Sequence, residues 1–323
     1  MVRSRRIAIF VENLYQELEL WYPLLRLQEE DIATTLVGTG ERDVYTGKNG
    51  YPARSEVTAS MIGPRDFDGA VIPGGFAPDY LRRSPAVVNL VRELYQQGKV
   101  IGAVCHGPCV LISAEVLRGK RVTGVSSIRD DIINAGGEFV NEPMVRDGNI
   151  ITARGPEDLP VFMREILGFL WKQKPRLDEA IPDGKFLDVN AQVGSLSEVI
   201  TGKPALLVFI DSIFSPRASS VLPRLDDLAK ELELRGGIMA GITGDSFFAV
   251  LEFLGEVELS YPLFCDSYKD LAKVFGVMGD VGLSDWSVFL SDRSGMLRYS
   301  ESWAGGDIES LPGFRKQLEN IVS

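Results

Sequence analysis

Cys105 and His106 stand side by side in VIGAVCHGPCVLIS (residues 100–113), and His106 is the single histidine of the 323-residue chain. A thiol beside an imidazole can work as a nucleophile with an acid/base partner, because the thiolate attacks and the imidazole moves the proton. The surroundings favour that over a chance neighbour. VIGAV (100–104) is a continuous apolar run that predicts a buried strand, Gly107 permits a tight turn, and Pro108 suits the first position of a helix. A cysteine at such an elbow projects above the sheet, as in the small-x-nucleophile-x-Gly turn; here it reads Ala103-Val104-Cys105-His106-Gly107. Unpaired amides and the dipole of the expected helix PCVLISAEVLRGK should favour the thiolate and lower its pKa from about 8.5. Cys109, one turn into that helix, is expected in the core, with a resolving-thiol role as the alternative. With one histidine and no C-x-x-C pair, neither a metal site nor a cofactor is expected.

The elements that must position this elbow alternate in type. RIAIFV (6–11), ATTLVG (33–38), DGAVIPGG (68–75), VIGAV and NIITA (149–153) predict strands, and RVTGV and GEFV further ones. Between them lie helix-period segments such as SPAVVNLVRELYQQGK, with serine before proline at its start and glycine at its end. YTGKNGYPARSEVT carries the Asn-Gly signal of a hairpin. Apolar strands alternating with helices predict an α/β fold, a parallel sheet covered on both faces, and such sheets bind ligands at their carboxyl edges. Residues 173–188, QKPRLDEAIPDGKFLD, lose this periodicity and are expected to be a linker between a domain over 1–172 and a second over 189–323. There the alternation restarts with PALLVFID and IMAGITG as strands, VLPRLDDLAKELELRGG as a helix and WSVFLSDRSGMLRYSESW as a hairpin.

A formal charge of −11 argues against a nucleic-acid or anionic-membrane partner, since either needs a basic face. No apolar run approaches the roughly 20 residues of a membrane span, and IAIFV after the basic MVRSRR is too short for a signal peptide. Three cysteines (Cys105, Cys109, Cys265) are too few for a disulfide framework, which makes a reducing cytoplasm the expected compartment.

ELELWYPLLRL, VIPGGFAPDYLR, AVCHGPCVLISAEVLRGKRVTG and SSIRDDIINAGGEFV together resemble the ThiJ/PfpI superfamily, specifically its PfpI-type peptidase branch, over about residues 5–172. The resemblance implies a flavodoxin-like, class I glutamine amidotransferase-like sandwich with a reactive cysteine at the elbow. It also implies a glutamate near the sulfur, matched here by Glu19, with Glu17 the solvated neighbour. A carboxylate beside a thiolate repels it, so Glu19 must be protonated or shuttle a proton. The resemblance further implies that an acidic residue of a neighbouring subunit orients His106. The matching position is Asp79, an aspartate in place of the more familiar glutamate, which makes a homo-oligomer the expected assembly. Amides near Gly75 and His106 are candidates for an oxyanion hole.

FIDSIFSPRASSVLPRLDDLAKEL, YPLFCDSYKDLAKVFGV and SVFLSDRSGMLRY resemble the thioredoxin-like peroxiredoxin (alkyl hydroperoxide reductase/thiol-specific antioxidant) family over about 187–322. Where that family has Phe-Thr-Pro-x-Cys-Thr, this chain has Phe214-Ser215-Pro216-Arg217-Ala218-Ser219, so Ala218 replaces the peroxidatic cysteine. The second domain is therefore expected to bind or dock rather than catalyse, and Cys265 to be a buried strand-end residue.

Three functions follow. The first expectation is a cysteine peptidase acting on peptides in a stress setting, with Cys105 attacking and His106 transferring protons. The alternative is a glyoxalase or deglycase acting on small dicarbonyls such as methylglyoxal, with Glu19 as proton shuttle. The third is a redox sensor that uses oxidation of Cys105.

Overall fold

The computed structural model describes residues 5–279, 282–283, 286–304 and 306–322; residues 1–4 of the basic start lie outside the described residues. The chain divides into two units, one ending at Phe169 and the other beginning at Leu170.

The N-terminal unit is built on five parallel strands: β1 (Arg6–Phe10), β2 (Ala33–Gly38), β3 (Gly69–Ile72), β4 (Val100–Val104) and β5 (Ile150–Ala153). Their order across the sheet is β2-β1-β3-β4-β5. Met144–Asp147 adds an antiparallel strand beside β5, and Val57–Thr58 pairs with β2 at the other edge. The central strands β3 and β4 are buried along their whole length, as their unbroken apolar sequence requires.

The helices are α1 (Glu17–Glu29), α2 (Ala77–Leu81), α3 (Pro85–Gln96), α4 (Pro108–Ser113), α5 (Arg129–Asn134) and α6 (Leu159–Trp171). In α3 the buried residues Val87, Leu90, Val91 and Leu94 fall at the i, i+3, i+4, i+7 spacing of one face. Burial of each contributes about 1.5–3 kcal/mol. Ser84 caps its start by accepting from the Val87 N–H.

One local expectation is corrected. The helix expected over PCVLISAEVLRGK stops at Ser113, because Glu115 takes a left-handed φ of 58° that an α-helix cannot continue through. RVTGV and GEFV both form short strands as expected; Glu138–Phe139 pairs with Arg121–Val122 in a small sheet separate from the main one. The Asn-Gly hairpin forms, with Val44–Thr46 antiparallel to Pro52–Arg54.

In the C-terminal unit the strands of the large sheet are β6 (Lys185–Leu187), β7 (Val193–Ser195), β8 (Ala205–Ile210), β9 (Ile238–Thr243), β10 (Leu263–Cys265), β11 (Trp286–Ser291) and β12 (Leu297–Trp303). They lie in the order β7-β6-β10-β9-β8-β11-β12. Side-chain alternation along β8 divides two cores. Leu206, Val208 and Ile210 enter one, and Ala205, Leu207 and Phe209 the other.

The stretch expected as a linker is in part structure. Lys185–Leu187 is the strand β6, and Ile181 and Phe186 are buried in the second of those cores. Alternating apolar residues separated by Pro and Gly hid a short strand, since periodicity over three residues carries little signal.

Candidate active site

Cys105 follows β4 directly, in register with the ends of β3 and β5, and so stands at the carboxyl edge of the sheet's centre. Its N–H donates to the Ala153 carbonyl at 3.0 Å, and its carbonyl accepts from the Val125 N–H at 3.1 Å. Held at both ends, it takes a left-handed φ of 59°. For a residue with a Cβ this costs on the order of 1–2 kcal/mol, the strain of a nucleophile elbow. The sulfur is thereby turned out of the strand toward Glu19 and His106.

Glu19 lies in the first turn of α1, where Gln16 caps the helix by accepting the Glu19 N–H at 2.9 Å. Its side chain is fully buried. Oε2 accepts the Gly74 N–H at 2.7 Å, whereas Oε1 meets no N–H or O–H donor. The group facing the carboxyl is the Cys105 thiol.

Burial pushes Glu19 up to about 7, against the Gly74 and Cys105 hydrogen bonds and the Lys48 charge. The Cys105 thiol is pushed up to about 12, first by burial and then by the Glu19 charge. The amides of Gly75 and His106 hydrogen-bond the sulfur and oppose that rise without overcoming it. This reverses the expected low-pKa thiolate. A helix of six residues supplies little dipole, and a buried carboxyl is the stronger neighbour. The two groups form one acid pair, so a proton taken from sulfur has a place to go.

Two glycines make this geometry possible. A Cβ on Gly74 would lie 2.6 Å from Cys105 Cβ and 2.6 Å from Glu19 Oε2, so only glycine fits between the two reacting groups. Gly75 has φ +73° and a Cβ there would lie 2.3 Å from the Leu14 carbonyl oxygen. Gly74→Ala should push Glu19 and Cys105 apart, destabilise the protein by about 1–3 kcal/mol and cut turnover at least about 100-fold, checked by thermal melting and steady-state kinetics.

His106 is half-buried, with Nδ1 3.4 Å from Cys105 Sγ and its ring stacked on Phe76 at 6.4 Å between centroids. Burial lowers its pKa, opposed by the Asp79 carboxylate. Asp79 is exposed on α2, and within the protomer no hydrogen bond joins it to His106 among the described residues. Nε2 instead meets Ser127 Oγ at 3.3 Å.

Ser127 is a residue the sequence reading missed. It arrives because the Val125–Cys105 backbone bond brings the following 3₁₀ turn, Ser126–Ile128, over the elbow, and no periodicity reports that. Lys48 was missed as well. It sits at the tip of the Asn-Gly hairpin, a turn the sequence did signal.

Glu17, the neighbour expected to be solvated, is half-buried. It accepts the Asn49 N–H at 2.6 Å and Asn49 Nδ2 at 2.7 Å, which pins the hairpin tip to α1. These bonds hold Glu17 below the usual carboxylate range against the opposing effect of burial.

Cys109 packs in the apolar core beneath the elbow, where burial pushes its thiol up to about 11. Among the described residues no group of three or more His, Cys, Asp or Glu side chains could hold a metal ion. In the C-terminal unit Ala218 is fully buried, and its N–H donates to Ser215 Oγ at 3.2 Å. Cys265 is buried at the end of β10, with Sγ 2.9 Å from the Asp245 carbonyl oxygen and 2.7 Å from Ser267 Oγ.

A strained cysteine at the carboxyl edge of a parallel sheet, with a buried glutamic acid and a histidine against it, defines a cysteine-nucleophile class of α/β protein. The chain belongs to the DJ-1/PfpI family, which matches residues 5–168, and the AhpC/TSA family matches residues 177–300. A deglycase of Pyrococcus horikoshii is 39% identical over 165 residues, covering 51% of this chain and 99% of the relative. A Bacillus subtilis protein named provisionally as a cysteine protease is 35% identical over 167 residues, covering 52% of this chain and 99% of its own.

Among solved structures, a two-domain protein of Anabaena variabilis shares 39% identity at a TM-score of 0.51, covering 52% of this chain and 48% of that one. There a domain of this kind is joined to a ferritin-like domain, whereas here the partner domain is of the AhpC/TSA family. No helix of the described residues is long and apolar enough to cross a membrane.

Proposed function

We propose that the N-terminal unit is a cofactor-free glyoxalase or deglycase that uses Cys105 covalently and Glu19 as proton shuttle. The observation that carries this reading is the fully buried Glu19 carboxyl against Cys105, raised to about 7 and thus able to take and give a proton near neutrality. The deglycase relatives support it over the peptidase expected first.

For methylglyoxal, the Cys105 proton passes to the Glu19 carboxylate and sulfur attacks the aldehyde carbon. The C–S bond forms as the carbonyl π pair moves to oxygen, beside the Gly75 and His106 amides. Glu19 protonates that alkoxide, giving a hemithioacetal. The carboxylate so formed removes the hydrogen on the same carbon as a proton while the neighbouring ketone oxygen takes up a proton, giving an enediol. Glu19 then protonates the neighbouring carbon as the former hemithioacetal hydroxyl gives up its proton and becomes the thioester carbonyl. The resulting lactoyl thioester is hydrolysed to lactate and free thiol. One carbon is oxidised as its neighbour is reduced, so methylglyoxal plus water gives lactate with no outside oxidant.

Because the reacting pair carries one proton, kcat/KM is expected to rise with pH through an apparent pKa near 7 that belongs to the Cys105–Glu19 pair. A pH profile on methylglyoxal checks this. A profile flat between pH 5 and 9, at about constant rate, removes Glu19 from the mechanism.

The 3.4 Å approach of His106 Nδ1 to Sγ favours a second reading, the PfpI-type peptidase. It needs Asp79 of a neighbouring subunit to hold the imidazole, hence a homo-oligomer. Peptide hydrolysis that disappears in Cys105→Ala would establish it. Redox sensing is less well supported, since it requires an exposed low-pKa thiolate and this thiol is pushed up to about 12.

The β2-β1-β3-β4-β5 order supports the flavodoxin-like, glutamine amidotransferase-like description of the N-terminal unit. The C-terminal unit is read as a binding or docking module because a methyl group stands at the peroxidatic position. Three free cysteines accord with a reducing cytoplasm.

A further inference from the structure

His106 touches two side chains, and what it does for each depends on which ring nitrogen carries the proton. Nδ1 lies 3.4 Å from Cys105 Sγ, and Nε2 lies 3.3 Å from Ser127 Oγ. The ring is stacked on Phe76 at an interplanar angle of 22°. A flipped ring would turn carbon toward both the sulfur and the hydroxyl, so these two contacts together set its orientation.

Ser127 is exposed, yet its backbone is fixed to the elbow. The Val125 N–H donates to the Cys105 carbonyl at 3.1 Å, and the Ile128 N–H to the Val125 carbonyl at 3.2 Å. Ile128 is buried, and a Cβ on Gly124 would lie 3.0 Å from the Cys105 carbonyl oxygen. The turn that carries Ser127 therefore rests directly on the nucleophile's backbone. The Ser127 hydroxyl meets no other hydrogen-bond partner among the described residues.

A neutral imidazole has one N–H donor and one bare nitrogen, and a serine hydroxyl can serve either. The sulfur decides which. Cys105 has one proton to donate, and the buried Glu19 carboxyl beside it is the acceptor. Their closeness is geometric, since a Cβ on Gly74 would lie 2.6 Å from both Cys105 Cβ and Glu19 Oε2. With the S–H engaged by Glu19, a bare Nδ1 would set lone pair against lone pair, whereas an Nδ1–H donates to sulfur. Nε2 is then bare and accepts, and the Ser127 O–H is the donor within reach.

We propose that Ser127 is a positioning residue that holds His106 in its Nδ1–H tautomer. The imidazole then donates a hydrogen bond to the Cys105 sulfur, and Glu19 alone takes the thiol proton. A peptidase base needs the opposite tautomer, with a bare Nδ1 toward the thiol and an Nε2–H held by a carboxylate. Ser127 stands at the very nitrogen that Asp79 of a neighbouring subunit would have to reach. The inference rests on the Cys105–Glu19 pair of the proposed reaction and deepens it by fixing what His106 does there.

Nitrogen NMR of the intact chain, isotopically labelled at histidine, tests this. The chain has one histidine, so the ring signals need no assignment. Long-range proton–nitrogen correlation at about pH 8, where the ring is neutral, tells a protonated nitrogen from a bare one. Wild type is expected to show Nδ1 protonated and Nε2 bare. The ratio of Nδ1–H to Nε2–H should fall about threefold or more in Ser127→Ala, the factor for one hydrogen bond, and stay within about twofold of wild type in Ser127→Thr. A merely structural role for Ser127 would leave the ratio unmoved. A smaller fall in Ser127→Ala overturns the proposal. So does Nε2–H as the main wild-type form, and its loss in Asp79→Asn would then give the ring to the neighbouring subunit. The measurement needs no turnover, so a protein inactive on methylglyoxal still reports its tautomer. Turnover of methylglyoxal by a protein in the Nε2–H form would keep the proposed reaction and remove Ser127 from it.

Discussion

Cys105→Ala is expected to lower kcat/KM on methylglyoxal by at least about 10³-fold while the protein stays folded. The substitution removes the sulfur at the elbow that forms the hemithioacetal. The elbow itself survives, because the backbone bonds to Ala153 and Val125 that hold φ at 59° do not involve the sulfur.

Cys109→Ala gives the opposite pattern. Cys109 packs in the apolar core, so its loss should cost about 1–2 kcal/mol of stability with turnover within a few-fold of wild type. Melting curves and kinetics on the two variants separate a chemical thiol from a structural one. Equal losses of turnover would mean that Cys105 acts only through packing.

Glu19→Gln should lower kcat by about 10²–10⁴-fold and, above neutral pH, stabilise the protein. Glutamine can still accept the Gly74 N–H, but it cannot take a proton. The stability effect follows from linkage. In the unfolded chain Glu19 ionises near its ordinary 4.5, whereas in the fold burial raises it to about 7. A raised pKa leaves its contribution fully present below 4.5; it is lost as pH rises to about 7, because the fold must then hold a buried carboxylate.

Above pH 7 the wild type should lie on the order of 3 kcal/mol below Glu19→Gln from this group alone. The gap should close on acidification toward pH 4.5. Denaturant midpoints at pH 5 and pH 8 measure it. Such a trade of stability for activity is what a group buried for chemistry, not for packing, should show.

The elbow was legible in sequence because its parts are local: an apolar strand, Cys-His, and Gly-Pro in nine consecutive residues. The parallel sheet was legible because buried strands are continuous apolar runs. The thiol's electrostatics were not. Its pKa depends on burial and on a carboxyl 86 positions away in sequence, and adjacency to a helix start gave the wrong sign.

His106 shows the same limit. Its nearest polar partner, Ser127, reaches it through a backbone bond between segments and not through any spacing rule. Glu17 and Glu19 could be told apart by resemblance alone, since both lie in the first turn of α1. Their fates diverge because one side chain turns toward Gly74 and the other toward Asn49.

The central claim is that Cys105 attacks and Glu19 relays the proton. Proton NMR of methylglyoxal turnover in deuterium oxide tests it most directly, with wild type, Cys105→Ala and Glu19→Gln run in parallel. The expected result is lactate from the wild type, carrying deuterium at C2 to the extent that the proton on the buried Glu19 carboxyl exchanges with solvent, and almost none from either variant. Lactate formed at the wild-type rate by Cys105→Ala or by Glu19→Gln would contradict it.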